Sequence, residues 1–131
     1  MKVLVAEDDF TSRLLLQKFL SPFGEIHVAI NGAEALEAFR QAKKTGEPYS
    51  LVCLDIMMPA IDGRDVLKEI RSLEEADGVY LGHGTKVIMT TALKDSVNVM
   101  TAFREPCDAY LAKPIDPQRL VGCLKEFGLA A

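Results

Sequence analysis

The stretch Leu51-Val52-Cys53-Leu54-Asp55-Ile56-Met57-Met58-Pro59 decides the fold, because it joins a short apolar run to a single carboxylate. A continuous apolar run bounded by turn residues is typical of a strand that is buried on both faces. Such strands occur in parallel sheets that are covered by helices on both sides. The sequence therefore predicts that Asp55 lies at the tip of a buried strand, where it is exposed enough to react.

Strand-like segments alternate with helical patterns along the chain. Apolar residues recur at helical spacing after the predicted strands, and Thr11 or Ser12 is the expected N-cap of the first helix. A weaker helix is expected over 95–103, and Asp116-Pro117 begins the last one. The predicted strands are 3–6, 25–30, 51–54, 86–90 and 109–112. This alternation predicts an α/β fold with a parallel sheet and helices on both faces.

Bulk properties restrict the classes of protein. A chain of 131 residues with a net charge of −4 favours one globular domain and argues against a nucleic-acid or anionic membrane surface, since either needs a basic patch. The sequence has no membrane-span pattern and no signal-peptide layout, so we expect a cytoplasmic protein. The cysteines Cys53, Cys107 and Cys123 lack metal-binding spacing and are expected to be small buried apolar residues.

Acidic residues follow two of the predicted strands. Glu7 and Asp8 come directly after the first strand, and Asp55 follows the third. Because the carboxyl ends of parallel strands meet at one edge of a sheet, we expect these carboxylates to converge. Close like charges need a cation or raised pKa values, and ligation by oxygen alone suits Mg²⁺ or Mn²⁺. The pattern predicts a metal site at this edge.

Two further strand ends carry groups that bind anions. Lys113 follows the fifth strand, where it can pair with Asp55 or with a phosphoryl oxygen. Thr91 offers a hydroxyl from the fourth strand, whereas Thr90 should point the opposite way and be structural. A carboxylate nucleophile, a divalent ion, a lysine and a hydroxyl together suit the acceptance of a phosphoryl group.

In combination, these motifs resemble a response regulator receiver domain, the phosphoacceptor module of two-component signalling. The motifs that carry the resemblance are Glu7-Asp8, Asp55-Ile56-Met57-Met58-Pro59 with Gly63, Thr91-Ala92, and Tyr110 with Lys113-Pro114. The resemblance covers essentially the whole chain. It implies the flavodoxin-like or CheY-like fold, with five parallel strands in the order 2-1-3-4-5. It also implies a stand-alone signalling switch over 1–131 rather than an enzyme acting on external substrates.

The resemblance assigns roles to the acidic residues. Asp55 is the expected phosphoacceptor. Asp8 and Asp55 are expected to ligate Mg²⁺ directly, Glu7 through a water molecule, and Met57 through its backbone carbonyl. Asp9 lies outside the acid pair of the family and receives no role.

The resemblance also assigns roles at the fourth and fifth strands. Lys113, Thr91 and the backbone of Ala92 are expected to bind the phosphoryl group, and the Lys113–Pro114 peptide bond is expected to be cis. Thr91 and Tyr110 form the expected switch pair, in which Thr91 moves toward the phosphoryl group and the Tyr110 ring turns into the vacated space.

The implied partners are a histidine kinase or a histidine phosphotransfer protein as donor, and a downstream protein that the sequence does not identify. The surface that changes is expected on the fourth helix, fifth strand and fifth helix, near Val99, Phe103, Tyr110 and Arg119. This surface could equally form a homodimer. No direct contact with nucleic acid or membrane is expected.

The chain departs from the family in three places. Pro106-Cys107 stands where relatives usually have Gly-Ala, and the connection over 74–85, expected to be a surface loop, is longer than usual. Apolar Met57 and Leu93 flank the acceptor where relatives often have polar residues. We hypothesise that these two side chains hinder the attacking water and lengthen the lifetime of the phosphoryl group.

Three other functions are compatible with parts of the pattern. The nearest is a pseudo-receiver that binds partners without phosphorylation. An aspartate-dependent phosphatase would need an acid two residues after Asp55, where this chain has Met57. A flavin-binding protein would need a phosphate-binding loop after the first strand, where Glu7-Asp8-Asp9 would repel the phosphate.

Overall fold

One parallel sheet of five strands forms within residues 1–79, 83–92 and 107–131, which the computed structural model describes. The strands are β1 (Lys2–Ala6), β2 (Glu25–Ala29), β3 (Leu51–Asp55), β4 (Lys86–Ala92) and β5 (Ala109–Lys113). Their order, β2-β1-β3-β4-β5, confirms the predicted topology. Strands β2 and β3 lie on opposite sides of β1, and such a switch point opens a crevice at the carboxyl ends of the strands.

Helices cover both faces of the sheet, as predicted. The described helices are α1 (Phe10–Leu20), a 3₁₀ helix (Ser21–Phe23), α2 (Gly32–Lys44), α3 (Gly63–Ala76) and the C-terminal helix (Pro117–Glu126). Helices α2 and α3 pack on one face, and α1 and the C-terminal helix pack on the other. The helix predicted over 95–103 lies outside the described residues. Among the described helices, none is both long and apolar enough to cross a membrane.

Strand β3 is buried along its whole length, which explains its uninterrupted apolar sequence. Val52 and Leu54 pack toward α2 and α3, whereas Leu51 and Cys53 pack toward α1 and the C-terminal helix. All four side chains are at most 1% exposed. Full burial of a Val or Leu side chain contributes about 1.5–3 kcal/mol. Packing on both faces therefore holds β3, and with it Asp55, in a fixed position.

Helix α1 begins earlier than the sequence pattern suggested. Its first residue is Phe10, and its N-cap is Asp9 rather than Thr11 or Ser12. The Asp9 carboxylate accepts a hydrogen bond from the backbone amide of Ser12 at 2.9 Å. An aspartate in this position satisfies an amide that the first helical turn leaves without a partner.

Strand β4 is longer than predicted. Its ladder with β5 continues past residue 90 and pairs Thr91 with Ala112 and Ala92 with Lys113. Thr90 and Thr91 are each about 1% exposed, so the strand does not end where its first hydroxyl side chain appears. As a result, Lys113 lies beside the last residue of β4.

The three cysteines are free thiols in different settings. Cys53 is buried, and burial raises the pKa of its thiol to about 12, which keeps it protonated. Cys107 and Cys123 pack against the two cores but are only partly buried. The expectation of small buried residues therefore holds fully for Cys53 alone.

The segment 74–85 is not entirely a surface loop, because α3 extends to Ala76 and Glu74 is buried. The Glu74 carboxylate accepts hydrogen bonds from the Thr85 amide at 2.7 Å and from Arg71 at 2.8 Å. A buried carboxylate requires such partners. The prediction of a surface loop was wrong for Glu74, because the partners of its carboxylate, Arg71 and Thr85, come before and after the loop in the sequence.

Arg71 connects α3 to the beginnings of β4 and β5. Its guanidinium donates to Glu74, to the carbonyl of Thr85 at 2.7 Å and to the carboxylate of Asp108 at 3.1 Å. The Asp108 carboxylate also accepts a hydrogen bond from the Val87 amide at 2.8 Å. This partly buried network joins the two strands whose carboxyl ends carry candidate functional residues.

Replacing Arg71 tests this network. Arg71→Met leaves the buried Glu74 carboxylate without its cation, whereas the partly buried Asp108 keeps Lys86 at 3.8 Å. We expect the free energy of unfolding to fall by about 3 kcal/mol, as measured by urea unfolding. The matched control is Arg40→Met, because Arg40 forms an exposed pair with Glu69 at 3.7 Å. That change should alter the free energy by less than about 1 kcal/mol. Equal losses in the two variants would contradict the assignment.

Candidate functional site

Three carboxylates converge at the carboxyl edge of the sheet. Glu7 follows β1 and Asp55 ends β3. These strands are neighbours, and Ala6 pairs with Leu54. Glu7 is fully buried, Asp55 is 4% exposed, and Asp8 is exposed. Oxygen atoms of the three carboxylates lie within 4.8 Å of one another. The structure thus brings together the acidic residues that the sequence places at this edge.

Lys113 extends into this cluster from β5. Its Nζ lies 3.2 Å from Oδ2 of Asp55 and also contacts Oε1 of Glu7. Because Lys113 pairs with Ala92, its side chain must cross the carboxyl end of β4 to reach β3 and β1. The Lys113–Pro114 peptide bond is cis, the form expected from the resemblance.

Burial and charge determine how the cluster is protonated. Burial, together with the adjacent Glu7 carboxyl, raises the pKa of Asp55 to about 7, and Lys113 opposes this shift. Burial by itself would lower the pKa of Lys113, but its contacts with Glu7 and Asp55 outweigh burial and raise the pKa above its usual value. Lys113 therefore stays cationic at neutral pH. The single ammonium of Lys113 faces the carboxyl groups of both Glu7 and Asp55. The site can therefore attract a further cation.

The donor set fits Mg²⁺ or Mn²⁺. All three side chains offer oxygen, and Asp8 is open to solvent, which suits an ion that keeps several water ligands. Both oxygens of Glu7 already have partners, since Oε1 contacts Lys113 and Oε2 accepts a hydrogen bond from the Asp9 amide at 3.2 Å. The water-mediated role expected for Glu7 stays a prediction.

The Asp55 carboxylate is held by contacts on both oxygens. Oδ1 accepts a hydrogen bond from the Met57 amide at 3.2 Å, while Oδ2 faces Lys113. The Met57 side chain is 62% exposed at the edge of the site. The assignment of the Met57 carbonyl as a metal ligand stays a prediction.

Gly63 lets α3 begin directly against the end of β3. Its amide donates to the Ile56 carbonyl at 2.8 Å. A Cβ atom at this position would lie 2.2 Å from the carbonyl oxygen of Asp55. Only glycine allows the two backbones to approach this closely. The helix is capped by Asp62, whose carboxylate accepts a hydrogen bond from the Arg64 amide at 2.7 Å.

The candidate switch residues lie on the α3 side of the sheet. Thr91 is 1% exposed, and its hydroxyl lies 3.5 Å from the carbonyl of Ala92. Tyr110 pairs with Met89, two positions before Thr91 on the same face of β4, and packs partly buried against the core. The two residues are thus close neighbours on one face. Leu93, Val99 and Phe103 lie outside the described residues.

Arg13 is a site residue that the sequence pattern did not reveal. Its Nη1 donates to the carbonyl oxygens of Glu7 at 2.9 Å and Asp8 at 3.3 Å. The available signal was a basic residue in the second turn of a helix that begins just after the acidic pair. Asp9, also without a predicted role, places that helix by capping it.

Comparison with known proteins identifies related sequences. The sequence matches the family described as response regulator receiver domain over residues 3–125. A probable transcriptional regulator, ycf27 of Pyropia yezoensis, is 38% identical over 91% of this chain and 44% of its own length. The osmosensing histidine protein kinase SLN1 of Saccharomyces cerevisiae is 29% identical over 97% of this chain and 10% of its own length. The chain thus spans less than half of these relatives.

Solved structures share the fold. A response regulator receiver domain protein from Clostridium thermocellum superposes with a TM-score of 0.76 at 27% identity, covering 96% of this chain and 92% of that one. The receiver domain of Ssk1, co-crystallised with the histidine phosphotransfer protein Ypd1 of Saccharomyces cerevisiae, is 26% identical with a TM-score of 0.79. That match covers 98% of this chain and 88% of the other.

A glycine substitution tests the close contact below Asp55. Gly63→Ala forces the start of α3 away from β3, and we expect urea unfolding to show a loss of about 1–3 kcal/mol. Gly122→Ala is the matched control, because Gly122 lies inside the C-terminal helix and no atom lies within 4 Å of the place that a Cβ would take. Alanine should stabilise that helix by about 0.8–1 kcal/mol. A Gly63→Ala variant as stable as the unaltered chain would contradict the steric argument.

Proposed function

The chain belongs to the response regulator receiver domain family of two-component signalling, and from this premise we propose that it is a switch that accepts a phosphoryl group on Asp55. The observation that supports this proposal most strongly is the position of the Lys113 ammonium, 3.2 Å from the Asp55 carboxylate inside the acidic cluster. A carboxylate held beside a fixed cation is arranged to receive an anionic group.

The proposed reaction is a displacement at phosphorus. A carboxylate oxygen of Asp55 attacks the phosphorus of a phosphohistidine, the bond between phosphorus and the imidazole nitrogen breaks, and the nitrogen keeps the electron pair. Lys113 binds an oxygen of the transferred group, and the Thr91 hydroxyl and the Ala92 amide donate hydrogen bonds to it. These residues hold the product as an aspartyl phosphate.

The acidic cluster would hold Mg²⁺, with Mn²⁺ as an alternative ion. Asp8 and Asp55 are the proposed direct ligands, Glu7 acts through a water molecule, and Met57 contributes its carbonyl. When bound, the ion offsets negative charge on the phosphoryl group. The excess of carboxylates over ammonium groups at this edge supports the assignment.

The phosphoryl group is proposed to act through Thr91 and Tyr110. The phosphoryl group would attract the Thr91 hydroxyl, and the partly buried Tyr110 ring would occupy the space that Thr91 leaves. The affected surface would include the exposed Arg119 on the C-terminal helix. This surface would bind a downstream protein or a second copy of the chain.

The proposed phosphodonor is a histidine kinase or a histidine phosphotransfer protein. The co-crystallised Ypd1 and Ssk1 pair supports this choice, because that receiver domain shares the fold of this chain. We propose that the chain is not a turnover enzyme, since the residue two positions after Asp55 is Met57 rather than an acid. A cytoplasmic location is also proposed, and the three free thiols agree with a reducing compartment.

The alternative is a pseudo-receiver that binds partners without phosphorylation, and mass spectrometry separates the two. Incubation with acetyl phosphate and Mg²⁺ should add the mass of one phosphoryl group, and Asp55→Asn should abolish the addition. Asp9→Asn is the matched control, because asparagine also caps helices and Asp9 lies outside the cluster. An unchanged mass of the unaltered chain would favour the pseudo-receiver. An adduct that persists in Asp55→Asn would exclude Asp55 as the acceptor.

Met57 should govern the lifetime of the aspartyl phosphate. Its backbone amide donates to Asp55 and its apolar side chain is exposed, and we propose that this side chain hinders the approach of water. We expect Met57→Asn to release phosphate faster, because an amide can orient an attacking water, and Met57→Leu to release it at the original rate. Release of inorganic phosphate from the labelled protein measures both rates. Decay in Met57→Asn that is unchanged or slower would contradict the hypothesis.

A further inference from the structure

The guanidinium of Arg13 binds the backbone of the acidic pair rather than its side chains. A single nitrogen, Nη1, donates to the carbonyl of Glu7 at 2.9 Å and to the carbonyl of Asp8 at 3.3 Å. Arg13 lies in α1, and its own amide donates to the Asp9 carbonyl at 2.9 Å. The contact therefore joins the first turns of α1 to the chain that leaves β1.

Glu7 and Asp8 follow the end of β1, where the hydrogen bonds of the sheet no longer fix the backbone. The Glu7 amide is the last contact with β2, donating to the Ala29 carbonyl at 3.0 Å. Beyond that point the Glu7 and Asp8 carbonyls receive hydrogen bonds from Arg13. Arg13 thus supplies restraints just after the ladder ends.

The Arg13 side chain is itself held in place. Its guanidinium carbon lies 5.6 Å from the centroid of the Phe10 ring, within the range of a cation–π contact. Phe10 is itself 67% exposed, so this contact lies at the surface of α1. The contacts with two carbonyls and this ring already restrict the rotamers of Arg13, so less side-chain entropy remains to be lost when the acidic residues bind a cation.

We propose that Arg13 is a positioning residue, which holds the backbone of Glu7 and Asp8 so that their carboxylates bind a divalent cation. The inference rests on the proposed metal-dependent function. Charge and positioning predict opposite effects of removing Arg13. A nearby positive charge repels a divalent cation, so its removal alone would tighten binding. Loss of positioning would weaken binding, and partners of metal ligands typically change affinity by about 10–100-fold.

Direct cation binding tests the inference. Mn²⁺ is titrated into the unphosphorylated protein, free Mn²⁺ is followed by electron paramagnetic resonance, and Mg²⁺ is added as competitor. We expect Arg13→Gln to weaken binding by about ten-fold. Arg13→Lys keeps the charge but replaces the planar guanidinium with an ammonium on a more flexible side chain, so its affinity for Mn²⁺ should be intermediate. Lys18→Gln removes an equal charge from an exposed position of α1 and should leave the affinity unchanged.

Labelling by acetyl phosphate gives a second readout. The Mg²⁺ concentration for half-maximal rate should rise in Arg13→Gln, while the rate at saturating Mg²⁺ stays close to that of the unaltered chain. A merely destabilised protein would instead lose rate at every Mg²⁺ concentration. Circular dichroism in the presence of a chelator checks that each variant is folded.

Equal or tighter cation binding by Arg13→Gln would overturn the inference and leave the proposed function intact. If Arg13→Gln does not fold, Arg13→Lys decides, and an affinity equal to that of the unaltered chain overturns the inference. An unaltered chain that binds neither ion would overturn both the inference and the metal-dependent function.

Discussion

The Lys113 ammonium lies between two buried carboxyls, those of Glu7 and Asp55, and the site depends on this ion pairing. Two acids cannot both be buried as anions without a compensating cation. The cation comes from β5, two strands away from β3, so the pairing requires the whole sheet order to be correct. Folding of the sheet and assembly of the site are in this sense one event.

The surrounding backbone is built to keep that edge fixed. Gly63 allows α3 to start against Asp55, and Asp9 caps α1 beside the acidic pair. Arg13 restrains the backbone carbonyls of Glu7 and Asp8. At the opposite edge, Arg71 joins α3 to the beginnings of β4 and β5. The strands are therefore held at both ends, and the exposed Asp8 leaves one side of the acidic cluster open to solvent.

Residues whose role follows from strand position could be predicted. Asp55 and Lys113 end strands in a parallel sheet, and such ends meet at one edge whatever the details of packing. Residues whose role depends on a partner distant in sequence could not be predicted in this way. Glu74 looks like a loop carboxylate until Thr85 and Arg71 surround it. Arg13 looks like one more charge on a helix surface until its contacts with two carbonyls are seen.

The sequence by itself determined the alternation of strands and helices, the buried central strand and the family of motifs at the strand ends. These are local patterns, since apolar runs and helical spacing need no knowledge of distant segments. Only the tertiary structure decided which side chain faces which, as in the contact of Lys113 with Glu7 as well as Asp55. Such pairings depend on distances between segments remote in the chain, and those distances are fixed only when the sheet and its helices pack together.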